Sequence, residues 1–176
     1  KALLSRFGTA GAAIAALPEL SRKGGLKRAI RLYGAAAAQA DLEQAATRGI
    51  RMVRAADPEY PQLLRHIDDA PPLLWCIGDC ALANRDSVAI VGTRNASAIS
   101  MRFTRMIASE LAAAGLVIVS GLARGIDTAA HEATLATGSV AVVAGGPDII
   151  YPPENTKLHA ALSERGLIVS EMRPGT

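Results

Sequence analysis

The sequence predicts an α/β fold in which a mostly parallel sheet is preceded by a small all-α domain. In the second half of the chain, short apolar runs rich in β-branched residues recur without polar alternation, which is typical of parallel strands buried on both faces. The first 49 residues are instead rich in Ala, Leu and Arg, which favours helix. With 176 residues, of which 50% are hydrophobic, the chain can bury one medium and one small core.

Residues 1–49 are predicted to form a helical domain of short helices that Gly and Pro separate. Thr9 and Asp41 stand where N-caps are expected, and Gly49 stands where a helix should stop. Pro18 is expected to break the second helix. The predicted helices cover residues 2–7, 9–17, 25–33 and 41–49.

Residues 50–86 are predicted to be a connector whose two short apolar runs form edge strands against the next domain. The segment contains four prolines. Trp75 is interpreted as an anchor in this packing, with base stacking as the alternative. Cys76 and Cys80 form C-x3-C without a second Cys or His pair nearby, which favours two reduced thiols over a zinc or disulfide site.

Residues 87–176 are predicted to alternate strands and helices, as the first part of a Rossmann-like domain. The strands are expected over 87–91, 116–120, 139–144 and 167–170, and the helices over 98–114, 128–137 and 156–165. In the first of these helices an apolar stripe is expected to face the core, and Gly115 should end the helix. The stripe consists of Ile99, Phe103, Met106, Ile107, Leu111 and Ala114.

Charge is distributed unevenly along the chain. Residues 1–56 hold ten Lys or Arg against three Asp or Glu, whereas residues 57–86 hold two against six. A basic first third favours an acidic partner such as nucleic acid, although solvated helix faces are often basic too. No apolar run reaches the length of a membrane span, and the start is unlike a signal peptide. We therefore expect a cytoplasmic protein without a membrane partner, and a fragment of a longer chain.

Three strand-to-helix turns are the expected ligand site, because parallel sheets bind ligands at the carboxyl ends of their strands. Their sequences are GTRNAS (92–97), GLARG (121–125) and GGPDIIYPPEN (145–155). None matches G-x-G-x-x-G or a Walker loop, which disfavours nicotinamide and ATP. Their glycines allow backbone amides to approach an anion or simply make tight turns. Arg94 and Arg124 occupy equivalent places in two turns, and arginine suits phosphate.

Candidate catalytic groups are sparse, and no catalytic residue, metal ligand set or cofactor is predicted. His131 follows Asp127 by four residues, so a carboxylate-oriented base is conceivable. The favoured interpretation is that Asp127 caps the helix and His131 packs locally. Ser120 and Ser170 lack a nucleophile-elbow sequence. In the third turn, Asp148 and Glu154 are interpreted as ribose ligands or as solvated carboxylates.

Four ordered motifs make the chain similar to a known family. VAIVGTRNAS, GLVIVSGLARGIDTAAH, YPPEN and LIVSEMRPGT resemble the DprA/Smf family of DNA-processing proteins over residues 50–176. Residues 1–49 resemble, more weakly, its sterile-alpha-motif or helix-hairpin-helix-like module. The resemblance implies a non-catalytic Rossmann-fold protein that binds single-stranded DNA, protects incoming DNA in natural transformation and loads the RecA recombinase. It also implies a homodimer, with the dimer and RecA surfaces largely in parts absent from this chain.

The resemblance also implies which residues contact DNA, and the charge pattern agrees with it. Pro147 departs from the family pattern, in which an aliphatic residue is common. With 3% aromatic residues, binding led by base stacking is disfavoured, and Tyr151 is the aromatic residue of the turns. The implied contacts are Gly92, Thr93, Arg94, Ser97, Gly121, Arg124 and Gly125, followed by Asn155 and Lys157.

Two other functions remain open on the sequence. The first is a phosphoribohydrolase-like enzyme that cleaves nucleoside monophosphates, although its Pro-Gly-Gly-x-Gly-Thr loop does not occur in this chain. The second is a small-nucleotide sensor without a role on DNA. Nucleotide turnover separates the first from DNA binding, and competition between a mononucleotide and an oligonucleotide separates the second.

Overall fold

The computed structural model describes residues 2–25 and 30–176, and the chain divides into two compact units, residues 1–40 and 41–176. The first unit contains helices α1 (Ala2–Phe7) and α2 (Ala10–Lys23). Helix α3 (Ala35–Thr47) runs across the boundary between the units.

The helix boundaries in this region follow the sequence only in part. Thr9 is the N-cap of α2, as predicted, and its hydroxyl accepts a hydrogen bond from the Ala12 amide at 3.2 Å. Pro18 lies inside α2, so the predicted break is wrong. A proline removes one backbone donor and clashes with the preceding turn, but the helix formers on both sides of Pro18 carry α2 through it.

The third helix starts earlier than its predicted cap. Asp41 lies in the middle of α3, because the alanines from residue 35 onward already form helix. Gly49 follows the end of α3 with φ +68°, which confirms the predicted stop. The helix predicted over 25–33 falls partly on residues 26–29, which lie outside the described residues, and residues 30–34 have no regular secondary structure.

The second unit is built on a six-stranded sheet with the order β1-β2-β6-β5-β4-β3. Strands β3 to β6 are mutually parallel, whereas β1 and β2 are antiparallel to their neighbours. This arrangement confirms the predicted α/β fold. The strands are β1 (Ile50–Arg54), β2 (Leu73–Gly78), β3 (Ser87–Ala89), β4 (Val117–Ser120), β5 (Ser139–Val142) and β6 (Leu167–Ser170).

The two apolar runs of the predicted connector form β1 and β2 of this same sheet. The predicted edge position is wrong for the second run, because β2 pairs with β1 on one side and with β6 on the other. The register of β1 and β2 sets Arg51 opposite Cys76 and Met52 opposite Trp75.

Trp75 is buried in a cluster with Ala45 of α3 and Ile50 of β1, so it is an anchor for packing against α3 and not, as predicted, against the domain that follows. One face of the β1–β2 pair therefore packs against Leu42 and Ala45, in the second half of α3.

Three helices cover one face of the parallel strands. They are α4 (Ala98–Ala113), α5 (Ile126–Thr134) and α6 (Thr156–Arg165), and each contacts the next. The other face carries an apolar core around Tyr60, Leu74 and Val117. Beside this core lies an open groove of about 760 Å³, lined among others by Leu64, Val142 and Met172.

The core-facing side of α4 matches the predicted apolar stripe only in part, since Leu111 packs against the core cluster. Ile99 is 82% exposed and Phe103 57% exposed, whereas Ala108 is fully buried. The buried positions of α4 are Thr104, Ala108 and Ala112. Small side chains let α4 approach α5 closely, and this packing decides which side faces inward. Gly115 follows the helix end with φ +92°, as predicted.

Candidate functional site

Three turns meet at one edge of the sheet, where the parallel strands end. The first turn (92–97) follows β3, the second turn (121–125) follows β4 and the third turn (145–155) follows β5. Because β3, β4 and β5 are parallel neighbours, their carboxyl ends lie side by side. This is the edge at which sheets of this kind bind ligands.

The first and second turns are packed directly against each other. A Cβ at Gly125, which has φ +80°, would lie 2.4 Å from the carbonyl oxygen of Thr93. The same carbonyl accepts a hydrogen bond from the Ile126 amide at 3.3 Å. A Cβ at Gly92 would lie 2.6 Å from Cγ1 of Ile126. Close packing alone therefore requires glycine at both positions.

Arg94 lies at the tip of the first turn and is exposed. It forms no ion pair with any residue in the described part of the chain. The hydroxyls beside it have local partners. Thr93 Oγ1 accepts from the Asn95 amide at 3.3 Å, and Ser97, the N-cap of α4, accepts from the Ser100 amide at 3.1 Å. The first turn thus presents an unpaired guanidinium on a locally ordered backbone.

Arg124 lies in the second turn and is also exposed, but it has an acidic partner. Its guanidinium lies 3.4 Å from Glu154 of the third turn, and the two side chains are 56% and 59% exposed. An ion pair this exposed contributes little to stability and exchanges readily with other partners. Arg124 therefore remains accessible to an anion that competes with Glu154.

A buried carboxylate supports the second turn from below. Asp127 is 5% exposed, and its Oδ2 accepts hydrogen bonds from the amides of Gly121 at 3.2 Å and Ala123 at 3.3 Å. The predicted N-cap role is wrong, because α5 begins at Ile126 and Gly125 holds the cap position. The close contact of Gly125 with the first turn fixes this start. Asp127 thus fills the amide site that an external anion would otherwise use.

Asn155, at the end of the third turn, is hydrogen bonded to the second turn. It is 6% exposed, and its amide donates to the carbonyl oxygen of Leu122 and to Thr128 Oγ1, each at 2.9 Å. Leu122 has φ +60°, a backbone conformation that non-glycine residues seldom adopt. The structure thus separates Asn155 from the exposed residues with which the sequence grouped it. Its supporting contact spans 33 positions of sequence, which no local pattern reveals.

In the third turn, the amides of Gly146, Ile149 and Asn155 donate to carbonyl oxygens of the chain. Gly146 donates to the Thr176 carbonyl at 2.7 Å. Asp148 accepts from the Gly175 amide at 3.0 Å and pairs with Arg48, so it is neither a solvated carboxylate nor free for ribose.

Further contacts define the underside and the rim of the third turn. Pro147 is buried, and its carbonyl oxygen lies 2.8 Å from His159 Nε2. Lys157, in the first turn of α6, and Tyr151, which is 65% exposed, are among the side chains that face solvent here. Lys157 thus adds a cation to the same edge of the sheet.

His131 and Asp127 do not bond to each other. His131 is fully buried, and its Nδ1 lies 2.7 Å from Ser139 Oγ. Its Nε2 has no hydrogen-bond partner among the described residues. Burial lowers the pKa of His131 to about 4, so the ring is neutral near pH 7. Local packing of His131 is confirmed.

The strand-end hydroxyls bond to backbone. Ser120 Oγ donates to the Ile90 carbonyl and Ser170 Oγ donates to the Gly145 carbonyl, each at 2.6 Å. Within residues 2–25 and 30–176, no cluster of three His, Cys, Asp or Glu side chains is arranged to hold a metal ion. No helix in those ranges is both long and apolar enough to cross a membrane.

The site is therefore a row of exposed cations on a rigid edge. Arg94, Arg124 and Lys157 are accessible, whereas the amides of Gly121, Ala123 and Gly146 already have internal acceptors. Such an edge can bind an anionic ligand through side chains, with little contribution from those amides.

Two models of known protein families match successive parts of the chain, and both describe the same kind of protein. The family model described as DNA recombination-mediator protein A matches residues 51–176. The model described as DprA-like N-terminal HHH domain matches residues 1–46.

Individual relatives agree with the family models. The chain is 42% identical over 128 residues to Protein Smf of Synechocystis, covering 68% of this chain and 32% of that protein. It is 37% identical over 131 residues to the DNA processing protein DprA of Bacillus subtilis, covering 73% of this chain and 44% of that one. The chain thus spans less than half the length of these relatives.

Solved structures show the same fold. The X-ray structure of DprA from Streptococcus pneumoniae superposes with a TM-score of 0.68 at 29% identity, over 92% of this chain and 63% of that one. DprA from Helicobacter pylori, whose structure concerns its single-stranded DNA binding mode, gives a TM-score of 0.63 at 33% identity, over 72% of this chain and 57% of that one. With both family models matched in order along the chain, this protein belongs to the DprA/Smf family of DNA-processing proteins.

Proposed function

We propose that this protein binds single-stranded DNA along the first and second turns. The observation that carries the proposal is the exposed, unpaired Arg94 on a turn packed against the turn of Arg124. The relative from Helicobacter pylori, which binds single-stranded DNA, supports the class of ligand. Arginine suits phosphate because its planar guanidinium can donate two parallel hydrogen bonds.

The proposed contacts divide into those that touch DNA and those that position them. Arg94 and Arg124 bind phosphates, and Lys157 adds a third cation at the rim. Asn155 holds the second turn in place and does not reach the nucleic acid, because its amide is buried and engaged. The backbone and hydroxyls around the arginines complete the contact surface, at Gly92, Thr93, Ser97, Gly121 and Gly125.

The basic first third is proposed to add affinity without selectivity. Residues 1–56 carry a net charge of +7, and diffuse positive charge attracts single and double strands alike. In this organisation residues 1–49 are an accessory helical domain, and residues 50–86 add β1 and β2 to the sheet of the recognition domain over 87–176. Replacing exposed Arg22 and Lys23 by alanine should lower affinity for both forms of DNA by similar factors.

We further propose that the whole protein processes incoming DNA in the cytoplasm during natural transformation. In this role it protects single strands and loads the RecA recombinase onto them, acting as a homodimer and without catalysis. Membership of the family supports this role, and the exposed Arg94 supports the DNA binding on which the role depends.

Fluorescence anisotropy of a labelled oligonucleotide tests the proposal. We expect single strands to bind more tightly than the matched duplex, because the cations lie on a narrow sheet edge and not on a helix that fills a groove. Affinity should fall with salt, with a log–log slope of roughly 0.7 for each phosphate neutralised on a single strand. Equal affinity for the two forms, or a flat response to salt, would overturn it. Chromatography of nucleoside monophosphates incubated with the protein tests the enzyme alternative.

A further inference from the structure

A small apolar pocket opens beside the first turn, where β3 is the outermost strand of the sheet. Its volume is about 300 Å³, and the residues that line it include Val91, Phe103 and Ile126. Val91 directly precedes the first turn, and Ile126 directly follows the second. The pocket therefore adjoins both of the turns that carry the arginines of the proposed DNA site.

Two large apolar side chains of this pocket are open to solvent. Val91 is 76% exposed and Phe103 is 57% exposed. Phe103 lies on α4, six positions after the N-cap Ser97 that ends the first turn. Exposed apolar side chains grouped around a concave surface mark a binding site more often than a bare surface. An aromatic ring is thus available to a ligand next to Arg94.

The polar groups of the pocket already have partners in the chain. Ser100 Oγ lies 2.9 Å from Ser97 Oγ, and Thr104 Oγ1 donates to the Ser100 carbonyl oxygen at 2.9 Å. Among the described residues that line the pocket, none is charged. The pocket itself therefore suits a flat apolar surface and not a phosphate or a carboxylate.

The volume and the neighbouring charges restrict the occupant further. A pocket of this volume is at the lower limit of about 300–1,000 Å³ for ligand sites and is too small for a helix about 10–12 Å across. Arg94 and Arg102, which stands next to Phe103, are both exposed, and neither forms an ion pair with a described residue. The charge and the apolar surface together match an anionic chain that carries flat rings.

A base in this pocket would also supply a selectivity that the cations lack. Phosphates occur on single and double strands alike, so contacts to them do not separate the two forms. In a duplex the faces of each base are stacked on their neighbours, and a base enters a pocket only after it has been flipped out. An unpaired base exposes its faces and can stack on an aromatic side chain at once.

We propose that this pocket receives one unpaired base of the strand whose phosphate Arg94 binds, an inference that rests on the proposed function. Phe103 is the stacking surface, and Val91 covers the base from the end of β3. Arg102 lies beside Phe103 for a neighbouring phosphate. The pocket then provides part of the preference for single strands.

Replacement of the ring tests the proposal by fluorescence anisotropy. The probes are a short labelled oligothymidylate and its duplex with oligoadenylate. Phe103→Ala should weaken binding of the single strand by roughly fivefold or more, the effect of removing one stacking contact, and should leave binding of the duplex unchanged. Phe103→Trp should bind the single strand at least as tightly as the parent, because it keeps an aromatic face.

Met106→Ala is the matched control for an exposed apolar side chain of α4. Met106 is 49% exposed and does not line the pocket, so this variant should bind both probes like the parent. Because Phe103 and Met106 are both about half exposed, both alanine variants are expected to fold, and thermal melts check this. An equal loss for the single strand and the duplex in Phe103→Ala overturns the proposal.

An oligomer of abasic deoxyribose phosphates of the same length separates base contacts from phosphate contacts. The parent should bind it several-fold more weakly than the oligothymidylate, since the phosphates remain and the stacking surface is lost. In Phe103→Ala the difference between the two probes should be much smaller. The same difference in both proteins would place the base contact elsewhere and overturn the proposal.

The outcomes distinguish this inference from the proposed function. If Arg94→Ala weakens binding but Phe103→Ala binds like the parent, the DNA site stands and the base pocket is wrong. A parent protein that binds neither probe in a salt-dependent way overturns the proposed function and the pocket with it. If light scattering without DNA shows a dimer that Phe103→Ala converts to a monomer, a second copy of the chain occupies the pocket and the proposal is wrong.

Discussion

The first and second turns present the same cation at the same edge of the sheet, but they are supported in different ways. The first turn is ordered by exposed local contacts around Arg94. The second is fixed by two buried polar side chains, Asp127 and Asn155, under a leucine with positive φ. A substitution at Arg94 should therefore change DNA affinity without changing the free energy of unfolding. A substitution in the second turn should change both, because its buried side chains hold the backbone that presents the cation. Substitutions can test this separation.

The largest effect should come from the glycine at which the two turns touch. Gly125→Ala would place a Cβ 2.4 Å from a backbone oxygen at φ +80°. Strain of about 1–3 kcal/mol and overpacking of about 1–3 kcal/mol together predict a loss of about 2–6 kcal/mol in the free energy of unfolding, measured in urea. Gly115→Ala is the matched control, because it has φ +92° with no atom within 4 Å. Equal losses in both variants would show that the contact between the turns contributes nothing.

The next effect concerns pH and the helix behind the second turn. His131 has a pKa of about 4 in the folded protein against 6.5 for the free side chain. The unfolded chain therefore takes up a proton that native His131 does not, so stability is unaffected above pH 6.5 and falls between pH 6.5 and 4. The loss should reach about 3 kcal/mol.

Urea titrations across this pH range check the prediction in the parent and in His131→Gln. The glutamine variant lacks this titration, and its stability should change less over the same interval. Parallel pH profiles for the two proteins would contradict the assignment to His131.

At the first turn, Arg94→Ala should lower affinity for single-stranded DNA without changing the melting temperature. A charge-assisted contact of this kind is worth about 1.5–3 kcal/mol. Arg94→Lys should restore only part of the loss, since it keeps the charge and loses the planar guanidinium. Anisotropy titrations and thermal melts on both variants measure the two quantities. A lysine variant that binds like the parent means that Arg94 acts only as diffuse charge.

Beneath the second turn, Asp127→Ala should lower the free energy of unfolding by about 1–3 kcal/mol, because two amides lose their acceptor. Asp127→Asn is the matched control, since both amides bond to one oxygen, Oδ2, and an asparagine oxygen can take its place. Thermal melts should rank the parent and Asp127→Asn close together, with Asp127→Ala well below. If the alanine variant melts like the parent but loses nucleotide turnover, the carboxylate is catalytic.

The smallest effect should come from the acidic partner of Arg124. Glu154→Gln removes an exposed ion pair worth about 0.2–1 kcal/mol and frees Arg124 for phosphate. Affinity for single-stranded DNA should rise by up to that amount, and stability should not change measurably. Anisotropy at low salt gives the greatest sensitivity. Weaker binding in this variant would mean that Glu154 positions Arg124 and does not compete for it.

The sequence predicts the sheet well because its strands are continuous apolar runs. It predicts the buried side of α4 only in part. The apolar pattern favours the side with the largest side chains, whereas close packing against α5 buries the side with Thr104, Ala108 and Ala112.

At the site, sequence reasoning located the turns and both arginines because Gly and Arg stand directly after strands. The predicted N-cap role of Asp127 is wrong because it assumed that neighbouring residues alone determine where a helix starts. The position of α5 depends on contact between Gly125 and Thr93, which lie 32 positions apart in sequence.

The buried carboxylate also has a kinetic consequence. Because Asp127 already neutralises the amides of Gly121 and Ala123, the second turn adopts its shape before any ligand arrives. A flexible anion-binding loop loses conformational entropy when it binds its ligand. Here the second turn has already lost that entropy during folding. An oligonucleotide that meets this turn should therefore associate at a rate set by electrostatic encounter. Rapid-mixing traces should show one concentration-dependent phase, without a slower step of loop closure.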